Sequence, residues 1–267
     1  MLECVVNVSE GEDLAVLDEL AAAAGPAVLD VHSDADHNRS VFTMAGPDVE
    51  EAVRALTRVA VTRLDLGAHR GVHPRIGVVD VVPFVPLAGS ETTDAIAARD
   101  RFAAWAGTEL ELPSFLYGPE RSLPEVRRGA FVTIFPDVGP HRPHPTAGAV
   151  AVGARQVLVA YNLWLGPGVT VERARAVARA IRGPGIRALG LAAGRGAQVS
   201  CNLIDLRHVG PDAAFDAVAK LVPVARAELV GLVPASVLDA IPEDRWHELD
   251  LAPSRTIEAS LERAGLQ

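Results

Sequence analysis

Cysteine is nearly absent. Cys4 and Cys201 are the only two, and each sits inside an apolar, strand-like run. That count excludes a disulfide framework and a zinc site built on cysteines, and it fits buried, reduced thiols in a cytoplasmic protein. Lysine is scarcer still: Lys220 is the single lysine among 25 basic residues. The rest are arginines, whose planar forks suit carboxylates where several converge. A surplus of positive charge is missing too, because the formal net charge is -9. General nucleic-acid binding, which needs a basic face, is not expected, whereas a small anionic ligand is compatible. No apolar run approaches the roughly 20 residues of a membrane span. The start, MLECVVNVSEG, has neither a basic n-region nor a cleavage site. The expectation is a cytoplasmic protein with no membrane or nucleic-acid partner. A G-x-S-x-G elbow is also lacking, and neither cysteine stands in a catalytic context, so no covalent nucleophile is expected.

What is present is concentrated in residues 66–86, LGAHRGVHPRIGVVDVVPFVP. Pro74, Gly71 and Gly77 forbid a regular helix across the two histidines, so residues 66–75 read as a shaped loop. The apolar run that follows is rich in β-branched residues and reads as a buried strand. A loop held by a rigid strand is where catalytic side chains tend to sit. An imidazole there, titrating near neutrality, is a ready proton carrier. The plainer reading is that His69 and His73 only tie the loop together.

The chain has 267 residues, enough for one large domain or two small ones. Strands are expected at residues 3–9, 27–32, 40–45, 76–85 and 114–117, and helices at 11–24, 47–64 and 92–110, with a turn or short helix at 119–129. Residues 135–148 (FPDVGPHRPHPTAG) are dense in proline, glycine and histidine, and the boundary is placed there, giving units 1–147 and 148–267. Beyond it come strands at 149–165, 187–191, 197–206 and 225–233, and helices at 169–181, 211–221, 235–241 and 254–264. Both halves run strand, helix, strand, strand, helix, strand. The expected class is α+β: two sandwiches with mixed or antiparallel sheets and helices on one face, around a central groove.

Three other constellations bear on chemistry. His32, Asp34, Asp36 and His37 have a spacing like that of metallo-hydrolase ligands, but Asp and Asn there serve equally as turn formers. Residues 148–155 carry P-loop-like glycine spacing, yet Ala154 and Arg155 replace the required lysine and hydroxyl residue, and a strand follows instead of a helix. His141 and His144 lie in the proline-rich segment, either as a stiff linker or facing a ligand between the two halves.

Taken together, ECVVNVSEG (3–11), DHNRSVFTMAG (36–46), HRGVHPRIGVVDVVPFVPL (69–87), LPEVRRGAF (123–131), PDVGPHRPHPTAG (136–148), GARQVLVAYNLWL (153–165), AQVSCNLIDL (197–206) and AELVGLVP (227–234) resemble the formiminotransferase (glutamate formimidoyltransferase) family. These are folate-dependent enzymes of histidine breakdown, and the likeness is to members without a cyclodeaminase domain. It covers nearly the whole chain, and the order of so many matched stretches makes it specific. Val72 stands where the family usually has glutamate.

The resemblance implies transfer of a formimino group from N-formimino-L-glutamate to N5 of tetrahydrofolate, the co-substrate, with no metal. It places the catalytic proton carrier on His73, the second histidine of its motif. It places the folate-binding segment on Gly139, Pro140, His141, Arg142, Pro143, His144, Pro145, Thr146, Ala147 and Gly148. For the donor, Asp34, Asp36 and Asp80 are candidate carboxylates beside a cationic amidine. Arg39, Arg75 and Arg142 are candidates for the glutamate carboxylates and the folate tail, and Asn38 for a carboxylate or pterin edge. A homodimer is left open. A related folate enzyme acting on 5-formyltetrahydrofolate, a folate-binding protein without turnover, and a metal-dependent hydrolase centred on His32, Asp34 and His37 stand as alternatives.

Overall fold

The computed structural model describes residues 1–194 and 196–266, which fall into two units, Met1–Gln156 and Val157–Gln267. In the first unit β1 (Leu2–Val8), α1 (Leu14–Ala24), β2 (Val28–Asp34), β3 (Arg39–Gly46), α2 (Val49–Arg63) and β4 (Val79–Pro86) form a split β-α-β core. The chain continues through α3 (Thr92–Glu109), β5 (Ser114–Tyr117), α4 (Leu123–Gly129) and β6 (Val150–Ala154). The sheet order is β2-β3-β1-β4-β6-β5. β1 is antiparallel to β3 and β4, whereas β6 runs parallel to β4 and β5. Because β6 lies between two strands of the first sheet, the division falls after residue 156 rather than after 147.

Alternation in β1 sends Cys4, Val6 and Val8 to one face, where they meet Leu17 and Leu20 of α1, Val53 and Leu56 of α2, and Phe102 of α3. The apolar stripe of α2, with Val49, Val53, Leu56 and Ala60 buried, has the i, i+4, i+7, i+11 spacing that aims one helical face at a sheet. α4 departs from the one-faced arrangement. Its Val126 packs with Val81, Phe115, Tyr117 and Ala151 in a smaller cluster. Covered on both faces, β4 is buried along almost its whole length, which is why its sequence is a continuous apolar run.

The second unit repeats the order: β7 (Val159–Leu165), α5 (Val171–Ile181), β8 (Ile186–Ala193), β9 (Gly196–Leu203), α6 (Pro211–Ala219) and β10 (Val224–Val230). Its sheet, β10-β7-β9-β8, is antiparallel throughout. The short helices α7 (Ala235–Asp239), α8 (Glu243–Trp246) and α9 (Ile257–Arg263) follow. The core joins Tyr161, Leu163, Val199 and Leu203 to Val177 and Val218. The Tyr161 hydroxyl donates to the Leu249 carbonyl at 2.9 Å and anchors the C-terminal region to the sheet. Cys4 and Cys201 are free and buried in the cores of their units; burial pushes the Cys201 thiol up to about 12. Among the described residues no helix is long and apolar enough to cross a membrane.

Candidate active site

The site is built where three connections of the first unit meet: β1 to α1, β2 to β3, and α2 to β4. At the β2–β3 turn the Asp34 carboxylate accepts the His37 amide at 2.9 Å, the turn-closing role open to a short acidic side chain. Asn38 takes the left-handed conformation, φ 46°, which asparagine tolerates better than most residues. Its side chain links all three connections, accepting from Gly11 N at 2.8 Å and donating to Arg70 O at 2.9 Å. Residues 66–76 form neither helix nor strand, and β4 starts only at Val79. The expected strand at 76–85 therefore begins late. Gly77 instead bridges to Gly148, so close that a Cβ on Gly77 would stand 2.0 Å from Ala149 O.

His69 is tied into this loop, its Nε2 lying 2.8 Å from Asn38 O. Arg75 is spent on the same loop, with Nη1 donating to Gly71 O and His73 O and Nη2 to His69 O. His73 is placed differently. Its half-buried ring has Nδ1 2.5 Å from Arg39 Nη1 and 2.9 Å from Pro74 O. Arg39 Nε donates to Asn7 Oδ1 at 3.0 Å, and Nη2 donates to the same oxygen. Arg39 Nη1 also lies 3.4 Å from Asp80 Oδ2.

Asp80 is buried and has its oxygens taken: Oδ1 accepts from Ile76 N at 2.8 Å and Oδ2 from Arg127 Nη2 at 2.5 Å. Arg127 Nη1 in turn donates to Pro74 O at 2.5 Å. Burial first, then Arg39, with Arg127 and His37 adding to it, holds the His73 imidazole well below its ordinary range, against the pull of Pro74 O. At neutral pH the ring is uncharged and can take up a proton. Burial likewise lowers Arg39, to about 10, despite Asp80.

His37 is buried, with its ring centroid 6.2 Å from that of His73 and Nδ1 3.7 Å from Asp34 Oδ2. Asp36 is exposed. Among the described residues no group of three His, Cys, Asp or Glu side chains is arranged to hold a metal ion.

The end of the segment 139–148 lies along the same loop. Thr146 O accepts from Leu66 N at 2.7 Å and Ala147 O from Val78 N at 3.0 Å. His144 and Gly148 exchange backbone hydrogen bonds of 2.7 and 3.1 Å, and His144 Nδ1 accepts from Ala147 N at 3.0 Å, so this imidazole caps its own turn. Thr146 is half-buried, and Ala147 and Gly148 are buried. Gly139 turns the chain at φ 85°. Pro140 is half-buried, whereas His141, Arg142, Pro143 and Pro145 are exposed, and the His141 ring stacks on Phe135 at 6.1 Å.

Asn7 and Arg127 complete the cluster, yet no role for either was legible beforehand. Both lie in the matched stretches 3–11 and 123–131. The signals were faint: a lone amide in an apolar strand, and one of two adjacent arginines.

The chain is similar to known proteins over most of its length. The family described as "Formiminotransferase domain, N-terminal subdomain" matches residues 1–155. A Glutamate formimidoyltransferase from Streptococcus pyogenes is 38% identical, covering 91% of this chain and 92% of that protein. One from Thermoplasma acidophilum is 32% identical over 89% of each. A Formimidoyltransferase-cyclodeaminase from Sus scrofa is 33% identical over 89% of this chain but only 51% of its own length. The chain belongs to the formiminotransferase family.

Proposed function

We propose that this chain is a glutamate formimidoyltransferase that moves the formimino group of N-formimino-L-glutamate to N5 of tetrahydrofolate, with His73 as general base and then general acid. The observation that carries the activity is the 38% identity to a protein of that name over 92% of that protein's length. The role of His73 is supported by its place: a neutral ring, partly open to solvent, in the loop that residues 146–149 line.

The chemistry asks for one proton in two directions. As N5 bonds to the amidine carbon it loses a proton, and as the carbon–nitrogen bond to glutamate breaks, the leaving nitrogen gains one. An imidazole that is neutral at rest accepts the first, and the guanidinium groups of Arg39 and Arg127 disfavour its keeping it. The proton is returned to the leaving nitrogen. The two proton movements balance between the substrates and His73, and no step of this scheme calls on a metal.

The exposed Asp36 and the half-buried Asp34, on the β2–β3 turn with His37, are the carboxylates assigned to a cationic amidine. Asp80 acts through the arginines it pairs with. Asn38 and Arg75 shape the wall of the donor site, and the exposed Arg142 and His141 offer charge and a ring to the folate. The reading places the reaction in the cytoplasm, acting on small molecules, and leaves a homodimer open.

The test is a donor panel with tetrahydrofolate as acceptor: N-formimino-L-glutamate and N-formyl-L-glutamate, with 5-formyltetrahydrofolate run in parallel as a substrate. Turnover with the formimino donor well above the others is expected. Turnover only with a formyl compound, or folate binding without turnover, would overturn the assignment.

A further inference from the structure

Arg39 looks at first like a ligand for a substrate carboxylate, but its contacts point inward. Each of its three side-chain nitrogens is already engaged: Nε and Nη2 with Asn7 Oδ1, and Nη1 with His73 Nδ1 and Asp80 Oδ2. Little of the group is open, since its side chain is 16% exposed. A guanidinium fixed in this way has no easy route to a ligand. It does, however, stand against His73 Nδ1.

We propose that Arg39 is a positioning residue for His73: held by Asn7 and Asp80 with Nη1 against Nδ1, it expels the proton that His73 takes up and so sets the pH below which the site stops working. The proposal rests on the reading that His73 carries the proton in transfer. Nδ1 cannot accept from Arg39 and donate to Pro74 O at once. The neutral ring that can take a proton at Nε2 carries Nδ1–H toward Pro74 O, so Arg39 acts on it as a neighbouring charge, and the imidazolium meets that charge as a like one. The like charge acts against the charged form.

The other groups around the ring do not cancel this. Arg127 reaches from α4 to Pro74 O, and His37 faces His73 from the β2–β3 turn, with Asp34 behind it. Arg75, on the same loop, binds the His73 carbonyl. Asp80 on β4 is the one carboxylate bonded to the guanidiniums of this cluster, and it is shared between Arg39 and Arg127. Two cations to one carboxylate leave positive charge beside the ring.

The decisive experiment titrates the His73 ring by nitrogen NMR in the wild-type chain, Arg39→Gln and Arg39→Lys, alongside the pH profile of kcat/KM. In the wild type the ring is expected to titrate well below the ordinary imidazole range, because burial and Arg39 disfavour its charged form. Arg39→Gln should raise its titration by at least about one pH unit, the scale of one adjacent charge. The acid limb of kcat/KM should move up with it, and Arg39→Lys, which keeps the charge, should restore much of the difference. A titration and acid limb that stay in place in Arg39→Gln, while KM for the donor rises, would overturn the proposal and make Arg39 a substrate ligand. If Arg39→Gln does not fold, Asn7→Ala, which removes the acceptor fixing the guanidinium, is read by the same two measurements. A chain inactive with the formimino donor would overturn the functional reading, yet the ring titration would still decide whether Arg39 holds His73 neutral.

Discussion

Asp80 Oδ2 and Arg127 Nη2 meet at 2.5 Å across 47 residues of chain. The pair exists because β4 is bulged at that point. Asn7 pairs with Val81 and Val8 with Val79, which leaves Asp80 as the extra residue on its strand. A bulge re-aims one side chain without ending the strand, and here it serves the cluster behind His73.

Asp80→Ala should therefore cost more than a typical point change. It removes the carboxylate shared by two guanidiniums and leaves buried positive charge uncompensated, a loss of about 3–5 kcal/mol. Urea unfolding followed by circular dichroism measures it. An unchanged midpoint would show that the arginines are solvated well enough without Asp80.

Much of the fold could be read in advance because its signals are local. Proline and glycine punctuation, the i, i+4 stripe of α2 and the apolar run of β4 are properties of neighbouring residues. The Ser114–Tyr117 strand was located to the residue. The unit boundary was harder, because Val150–Ala154 looks like the start of a new sheet and only pairing with β4 and β5 assigns it to the old one. In the site, sequence pointed to His73, Arg39 and Asp80 but not to what joins them. Sequence offers Arg39 and Asp80 as substrate contacts; in the structure Arg39 bonds Asn7, His73 and Asp80, and Asp80 bonds Arg127. Those contacts depend on strand register and on one bulge, which no spacing along the chain reveals.

Arg142→Ala should weaken tetrahydrofolate binding while leaving a saturated reaction nearly as fast. The side chain is exposed, a few residues before Thr146, where the segment meets the His73 loop. Loss of one charged hydrogen bond costs roughly 1.5–3 kcal/mol, or about 10- to 150-fold in affinity. Calorimetric titration with the folate checks it. An unaltered dissociation constant would return residues 139–148 to the role of a stiff connection.

Activity should survive removal of divalent metal, although His32, Asp34, Asp36 and His37 lie close in sequence. The transfer as proposed runs on positioning and proton movement. Assays before and after dialysis against a strong chelator, then with zinc, manganese or magnesium restored, decide the point. Activity lost on chelation and recovered with one ion would replace the proton-carrier account.

The most direct measurement compares His73→Ala with His69→Ala in formimino transfer, with folate binding measured in parallel. His69 is engaged with the Asn38 carbonyl, whereas His73 is half-buried with Nδ1 against Arg39. Proton transfer by a placed side chain contributes about 10²- to 10⁴-fold. His73→Ala should lose that much in kcat with folate affinity retained, and His69→Ala should keep most of its rate. Equal losses in two folded, folate-binding variants, or a His73→Ala variant that still turns over at close to the wild-type rate, would contradict the account.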